Sequence, residues 1–393
     1  MNMVNNIITY VQQYGKHSVA EFPFNEVDAL VLCQLSYLDF SASIYPETER
    51  KDAVLISEIA YLPRVERLYE GFWYKDENRE LFRAVSESTR FGSMRLWRFE
   101  ELKDEDRTLQ FAALTFAIDK DTDFVAFRGT DASLIGWKED LMLAYSRPTG
   151  AQKHALKYLT GILESTDGHI LAGGHSKGGN LAVYAAMNLP RDLQERIDTV
   201  YDNDGPGFRP EILEQSDYEN IRGRIRKFIP HSSVVGVILE ENDDYELIEC
   251  WKLGTLQHNT YTWKSEKGAF LRASGIDPKK RIRDAALNEW ILSLSEEEIT
   301  VFIDTLYEFL TSEDSESLYD LKNNLKKSII DSFRISRDLD ENTKKALQNI
   351  LKSFIDIYGE HAAAEVANMR RSFREELRSL YLGAADLLSR KNT

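Results

Sequence analysis

The residues with the clearest chemical potential form the run Gly173-Gly174-His175-Ser176-Lys177-Gly178-Gly179, which centres a serine in a G-x-S-x-G pattern. A nucleophile on a tight strand-to-helix turn needs a strained backbone and almost no neighbouring side-chain bulk, and Gly174 and Gly178 meet that need. Ahead of them Ile170-Leu171-Ala172 reads as a buried strand. Behind them Leu181, Ala182, Ala185 and Ala186 supply a close-packing helix face. The amino end of that helix points N–H groups at any oxyanion forming beside Ser176. The chemistry suggested is attack of a serine hydroxyl on a carbonyl carbon.

A hydroxyl at its ordinary pKa is a weak nucleophile, so Ser176 needs a base within hydrogen-bond reach and a carboxylate to orient that base. In α/β-hydrolases these groups follow the order serine, acid, histidine. Only His231, His258 and His361 lie after Ser176, and His361 falls in a helical tail. His258, in Leu256-Gln257-His258-Asn259-Thr260-Tyr261, comes after the last strand signals on a loop able to swing over the elbow, and it is the expected base. His231 is the reserve, with a plainer reading as a loop histidine that caps backbone groups. His175 is expected to be structural, directed into the sheet packing.

Asp204, in Asp202-Asn203-Asp204-Gly205-Pro206-Gly207-Phe208, is the expected acid, because turn chemistry at a strand end projects a carboxylate from the carboxyl edge of a sheet. Its plainer reading is an Asx-turn aspartate, and Asp202 is expected to lie within the strand. For the oxyanion, Thr130 in Phe127-Arg128-Gly129-Thr130-Asp131 and the backbone N–H of Lys177 are the expected donors. Arg128 and Asp131 are expected to brace that loop as an ion pair.

Several elements must position these groups. Two helical patterns fill Met3 to Leu38, broken at Phe22-Pro23-Phe24, the second running from Glu26 to Asp39. Residues 41–105 are rich in Tyr, Trp and Glu and read as a cap. The sheet is expected to begin with a hairpin, Gln110 to Ile118 and Asp123 to Phe127, turning at Asp119 to Thr122. Helical and strand patterns then alternate: Ala151 to Ser165, Ile170 to Gly173, Thr199 to Asp202 and Ile225 to Ile229. Such alternation means a mostly parallel sheet. The expected fold is α/β, an α/β-hydrolase domain over 1–284 with a mostly parallel central sheet, plus a C-terminal all-helical domain over 285–393. In the latter, Ser295 and Glu298 form a capping box before Ile299, Phe302, Ile303, Leu306 and Leu310. Further stripes fall at Leu318, Leu321 and Leu325, and at Leu347, Ile350, Leu351, Phe354 and Ile357. These stripes read as bundle core, with a protein partner or self-association as the alternative.

The chain has 393 residues and a net charge of -16, which argues against a nucleic-acid or anionic-membrane footprint. The basic cluster Arg222, Arg224, Arg226 and Lys227 sits in acidic surroundings and reads as a solvated strand edge. Cys33 and Cys250, both in apolar context, offer neither a disulfide framework nor metal-type spacing. No metal or cofactor is expected. The absence of a signal-peptide pattern and of eighteen consecutive apolar residues makes a cytoplasmic protein without stable membrane insertion the expectation.

At these residues the chain resembles the class 3 lipases and, more closely, a lipase-like group of bacterial α/β-hydrolases known chiefly as a domain of unknown function. The resemblance spans roughly Asn25 to Trp263. It rests on Phe127-Arg128-Gly129-Thr130, Trp137 with Glu139-Asp140-Leu141, the Gly174 to Gly178 elbow, and His258 followed by Tyr261. Pro23-Phe24-Asn25-Glu26-Val27-Asp28-Ala29-Leu30 and Asp204-Gly205-Pro206-Gly207-Phe208 point to the narrower group. The resemblance implies ester hydrolysis through an acyl-enzyme, with Ser176, His258 and Thr130 in matching roles. One position departs from it. Class 3 lipases carry the triad aspartate after the strand that Ile225 to Ile229 resembles, and here Ser233 stands about there. Either Asp204 supplies the acid, or a weaker dyad operates, or activity has decayed.

The expected function is hydrolysis of short or medium acyl carboxylic esters, with a small-molecule or lipid ester as substrate. A long-chain lipase acting at an interface is disfavoured by the lack of an exposed apolar run or export signal. Phospholipid, thioester and acyltransferase chemistry stay open, as does a non-catalytic lipase-fold module that binds a protein through its C-terminal helices.

Overall fold

Alternation of side chains along the central strands assigns each residue to one of two apolar layers. The computed structural model describes residues 5–300 apart from 45–47, 64, 71–73, 105, 107, 131–138, 140–141, 146, 241–243 and 276–277. Eight strands form the main sheet: β1 (Val54–Leu55), β2 (Arg95–Asp104), β3 (Leu109–Ala117), β4 (Thr122–Phe127), β5 (His169–His175), β6 (Ile197–Asn203), β7 (Ile225–Pro230) and β8 (Tyr245–Ile248). They lie side by side in chain order. β1 to β4 pair antiparallel, and β4 to β8 pair parallel.

Parallel neighbours added in one direction through right-handed crossovers place every crossover helix on the same face. Here that face carries α4 (Gly150–Ser165) and α5 (Lys177–Met187), and the opposite face is covered by α1 (Ile7–Tyr14), α2 (Glu26–Leu35) and α3 (Lys75–Glu87). Val125, Phe127, Ile170, Ala172 and Val200 pack with Ala151, Ala155, Leu181 and Ala182 of the crossover helices. Phe124, Ala126, Leu171, Tyr201 and Phe228 pack with Val27, Leu30, Val31, Leu81 and Phe82 of the amino-terminal helices. A mostly parallel sheet covered on both faces is the expected α/β-hydrolase architecture.

The sheet starts earlier than the expected hairpin. The stretch 41–105, read as a cap, supplies β1 and β2. β2 escapes a period-two reading because its register shifts between Trp97 and Glu100, where Arg98 has φ 51°. Beyond that bulge it lies at the edge of the sheet, since β1 pairs only with Arg95 and Leu96, and edge positions tolerate Glu100, Glu101, Lys103 and Asp104. β8 is an edge strand as the last in the sheet order. The hairpin itself forms, with Asp119 Oδ1 accepting from the N–H groups of Asp121 and Thr122.

Among the described residues, those up to Gly275 and from Ser295 onward form one unit. Ile276–Leu294, which holds α6 (Pro278–Ser293), belongs to a second. The Ser295 capping box is present: Glu298 Oε2 accepts from Ser295 N–H at 2.9 Å, and Ser295 Oγ accepts from Glu298 N–H at 3.2 Å. The stripes beyond residue 300 and His361 lie outside the described residues. Cys33 and Cys250 are buried and not disulfide-bonded. No helix among the described residues is long and apolar enough to cross a membrane.

The amino-terminal layer is pinned from both ends. Asn6 caps α1, and its Nδ2 donates to the Tyr261 carbonyl at 3.1 Å. Arg90 forks onto both Asp28 oxygens, at 2.7 and 2.5 Å, with both side chains fully buried. It also donates to the Phe22 and Ser18 carbonyls, while Tyr10 donates to Asp28 Oδ1 at 2.9 Å. Removing one member of such a pair strands a buried charge. Asp28→Ala is therefore expected to lower stability by about 3–5 kcal/mol, read as the shift in urea unfolding at neutral pH.

Candidate active site

Ser176 stands between the end of β5 and the start of α5, with φ 59° and ψ -132°. Non-glycine residues rarely adopt that conformation, and the surroundings must enforce it. They do so by close approach. A Cβ on Gly174 would lie 2.1 Å from the Gly178 carbonyl carbon, and one on Gly178 would lie 2.1 Å from the Phe127 carbonyl oxygen. The elbow therefore fits only where those positions carry no side chain. Ser176 N–H donates to the Asn203 carbonyl at 3.0 Å, which ties the serine to the end of β6.

The next residue after Asn203 is Asp204, fully buried and at φ 57°. Its N–H donates to the Phe228 carbonyl on β7 at 2.8 Å. Its carboxylate gathers three donors: His258 Nδ1 at 2.7 Å and Ser233 Oγ at 2.7 Å on Oδ2, and the Gly236 N–H at 3.1 Å on Oδ1. Gly236 is required there, because a Cβ would fall 2.4 Å from Asp204 Oδ1. A carboxylate only accepts, so His258 carries a proton on Nδ1, and in the neutral ring Nε2 is the basic nitrogen. Ser233, at the position where the sequence departs from the resembled family, is a donor to the Asp204 carboxylate.

The other sequence candidates separate cleanly. Asp202 lies in β6, where Lys227 pairs with it at 3.1 Å and with Glu240 at 2.6 Å. Burial raises the Asp202 carboxyl, against the opposing charge of Lys227. His231 sits against the Ile248 carbonyl and Gln257. Arg128 pairs with Glu101 on β2 at 3.0 Å, and Asp131 lies outside the described residues.

Lys177 opens α5 directly after Ser176, the N-cap, whose carbonyl accepts from the Gly179 N–H at 2.9 Å. The Lys177 side chain runs inward and is fully buried, donating to Glu139 Oε2 at 3.1 Å and to the Gln110 carbonyl at 2.9 Å. Only its backbone is therefore a candidate oxyanion donor. The loop after β4 reaches the nucleophile, since a Cβ on Gly129 would lie 3.2 Å from Ser176 Cβ, and Thr130 comes next.

Two features went unread in the sequence. His175 does not merely pack: its Nε2 lies 2.8 Å from the His258 carbonyl oxygen and its Nδ1 lies 3.0 Å from the Tyr37 hydroxyl. The loop before His258 also exposes apolar surface, with Trp251 46%, Leu253 75% and Leu256 49% exposed. Their scatter among polar residues hid them from a search for continuous runs.

The family model described as Mbeg1-like matches residues 85–308. Among solved structures, the chain is similar to M37 lipase, at 13% identity and TM-score 0.34, covering 54% of this chain and 68% of that one. It is similar to a mutant form of MDLA from Penicillium cyclopium at 12% identity and TM-score 0.36, covering 68% and 87%. Lipase II from Rhizopus niveus matches at 12% identity and TM-score 0.32, covering 70% and 89%. No curated protein matches.

The Ser233 hydroxyl is a donor to a buried carboxylate, a bond of above-average strength. Ser233→Ala is expected to cost about 1.5–3 kcal/mol in chemical denaturation at pH 7.

Proposed function

The chain belongs to the Mbeg1-like family, and we propose that it is a serine hydrolase that cleaves carboxylic esters of short or medium acyl length through an acyl-enzyme. The observation that carries this reading is the Asp204 carboxylate on His258 Nδ1 at 2.7 Å, one residue from the Asn203 carbonyl that holds Ser176.

Each group has a role in the proposed reaction. His258 Nε2 takes the proton from Ser176 Oγ as the oxygen attacks the ester carbonyl carbon. Asp204 holds the imidazole in the required tautomer and stabilises the imidazolium that forms. The oxyanion of the tetrahedral intermediate is met by the backbone N–H of Lys177, at the amino end of α5, and that of Thr130, on the loop after β4. His258 then protonates the leaving alkoxide, and water repeats the sequence in reverse on the acyl-enzyme. The exposed Trp251, Leu253 and Leu256 before His258 favour an apolar ester over a charged one.

The case for a non-catalytic module rested on the serine at 233. It weakens when position 204 supplies a carboxylate with three donors, because a decayed site has no reason to retain a buried, base-paired acid.

The test is hydrolysis of p-nitrophenyl esters across acyl lengths, with fluorophosphonate labelling alongside. Ser176→Ala and His258→Ala are each expected to lower kcat by about 10,000-fold or more, and Asp204→Asn by about 1,000- to 10,000-fold. Labelling should disappear in Ser176→Ala. Full activity in the folded Ser176→Ala variant would sink the mechanism.

A further inference from the structure

His175 joins three parts of the chain that sequence places far apart. It ends β5, it meets the Tyr37 hydroxyl just past α2, and it meets the carbonyl of His258, the proposed base. A carbonyl oxygen can only accept, so His175 Nε2 donates to it. Nδ1 is then left to accept from the Tyr37 hydroxyl. The imidazole ring is fixed by both nitrogens, and its face lies 4.5 Å from the His258 ring, tilted by 34°. On a third side Trp263 meets it edge-on at 6.1 Å.

We propose that His175, oriented by Tyr37, is a positioning residue that fixes the backbone of His258 so that the base is held at two points. The inference rests on the hydrolase reading of Ser176 and His258. Asp204 grips the ring end of His258 at Nδ1, and His175 grips the main-chain end at the carbonyl oxygen. A ring held only at Nδ1 pivots about that bond and sweeps Nε2 away from a serine. The second attachment removes the pivot.

The other bonds on the loop do not duplicate this. Gln257 accepts from Ser232 N–H and donates to the Lys252 carbonyl, while Trp263 Nε1 donates to the Gln257 carbonyl. They fix the flanks, and His175 fixes the base itself. Tyr37 extends the clamp, since a Cβ on Gly129 would fall 2.1 Å from its hydroxyl, beside the loop that carries Thr130.

The charge state suits the role. Burial, and next the neighbouring His258, hold the His175 pKa well below the usual imidazole range. His175 is thereby held as a neutral donor to the His258 carbonyl.

The experiment compares His175→Phe, His175→Gln and Tyr37→Phe with the wild type in three readouts: thermal unfolding, kcat and KM on p-nitrophenyl butyrate, and the low-field imidazole proton signal of His258. That signal is assigned by its loss in Asp204→Asn. In folded His175→Phe, kcat is expected to fall about 10- to 100-fold with KM within about threefold, and the low-field signal to broaden or vanish. His175→Gln, which keeps an N–H near the same place, should recover both in part. Should His175→Phe not fold, Tyr37→Phe is read instead, with a smaller loss of the same kind. Unchanged kcat and an unchanged signal in a folded variant overturn the positioning role. If the wild type hydrolyses no ester, the hydrolase reading fails by itself, and the proton signal still decides whether His175 holds His258.

Discussion

Everything at the candidate site depends on a contact between backbones that has no room for a side chain. Gly178 at the start of α5 lies against the Phe127 carbonyl at the end of β4, and Gly174 at the end of β5 lies against Gly178. This packing sets the distance between two strands and the helix that crosses them, and it forces Ser176 into a conformation the residue would not choose. The strain is held by the sheet, since β4 and β5 pair in register from Thr122 with His169 to Phe127 with Gly174. A rigid parallel sheet is the spring that keeps the serine presented.

Asp204 is placed by a related device. Asp204 leaves β6 in a left-handed conformation that turns its carboxylate across the strand ends, and its N–H bonds to β7 keep it there. Ser233 and Gly236, on the loop after β7, then close around it. Two loops thus cooperate on one carboxylate: the first supplies the charge and the second supplies donors that make its burial tolerable. Lys177, beside Ser176, is put to a comparable structural use, with its charge buried against Glu139.

How much of this was legible in the chain follows from whether the cause is local. The elbow was readable because its requirement, glycine on both sides of a serine, lies within five residues. The turn at Asp204 and the hairpin at Asp119 were readable for the same reason. The contact of His258 with Asp204 was open to expectation from its place after the strands. The contacts of Ser233 and His175 were hidden, since each is made with a partner dozens of residues away and neither carries a mark of it in its neighbours. β2 was hidden by a bulge and an edge, two conditions under which alternation stops reporting burial. β8, a four-residue edge strand, suffered likewise.

The bond from Asn6 to the Tyr261 carbonyl closes a loop of 255 residues, and it bears on how the protein is made. At a synthesis rate of about 5–20 residues per second, Asn6 waits about 13–50 seconds for the carbonyl it binds to leave the ribosome. Tyr37 and then Ser176 emerge within that interval, ahead of His258. A nascent chain therefore presents the turn at Ser176 before the loop that closes over it has been translated.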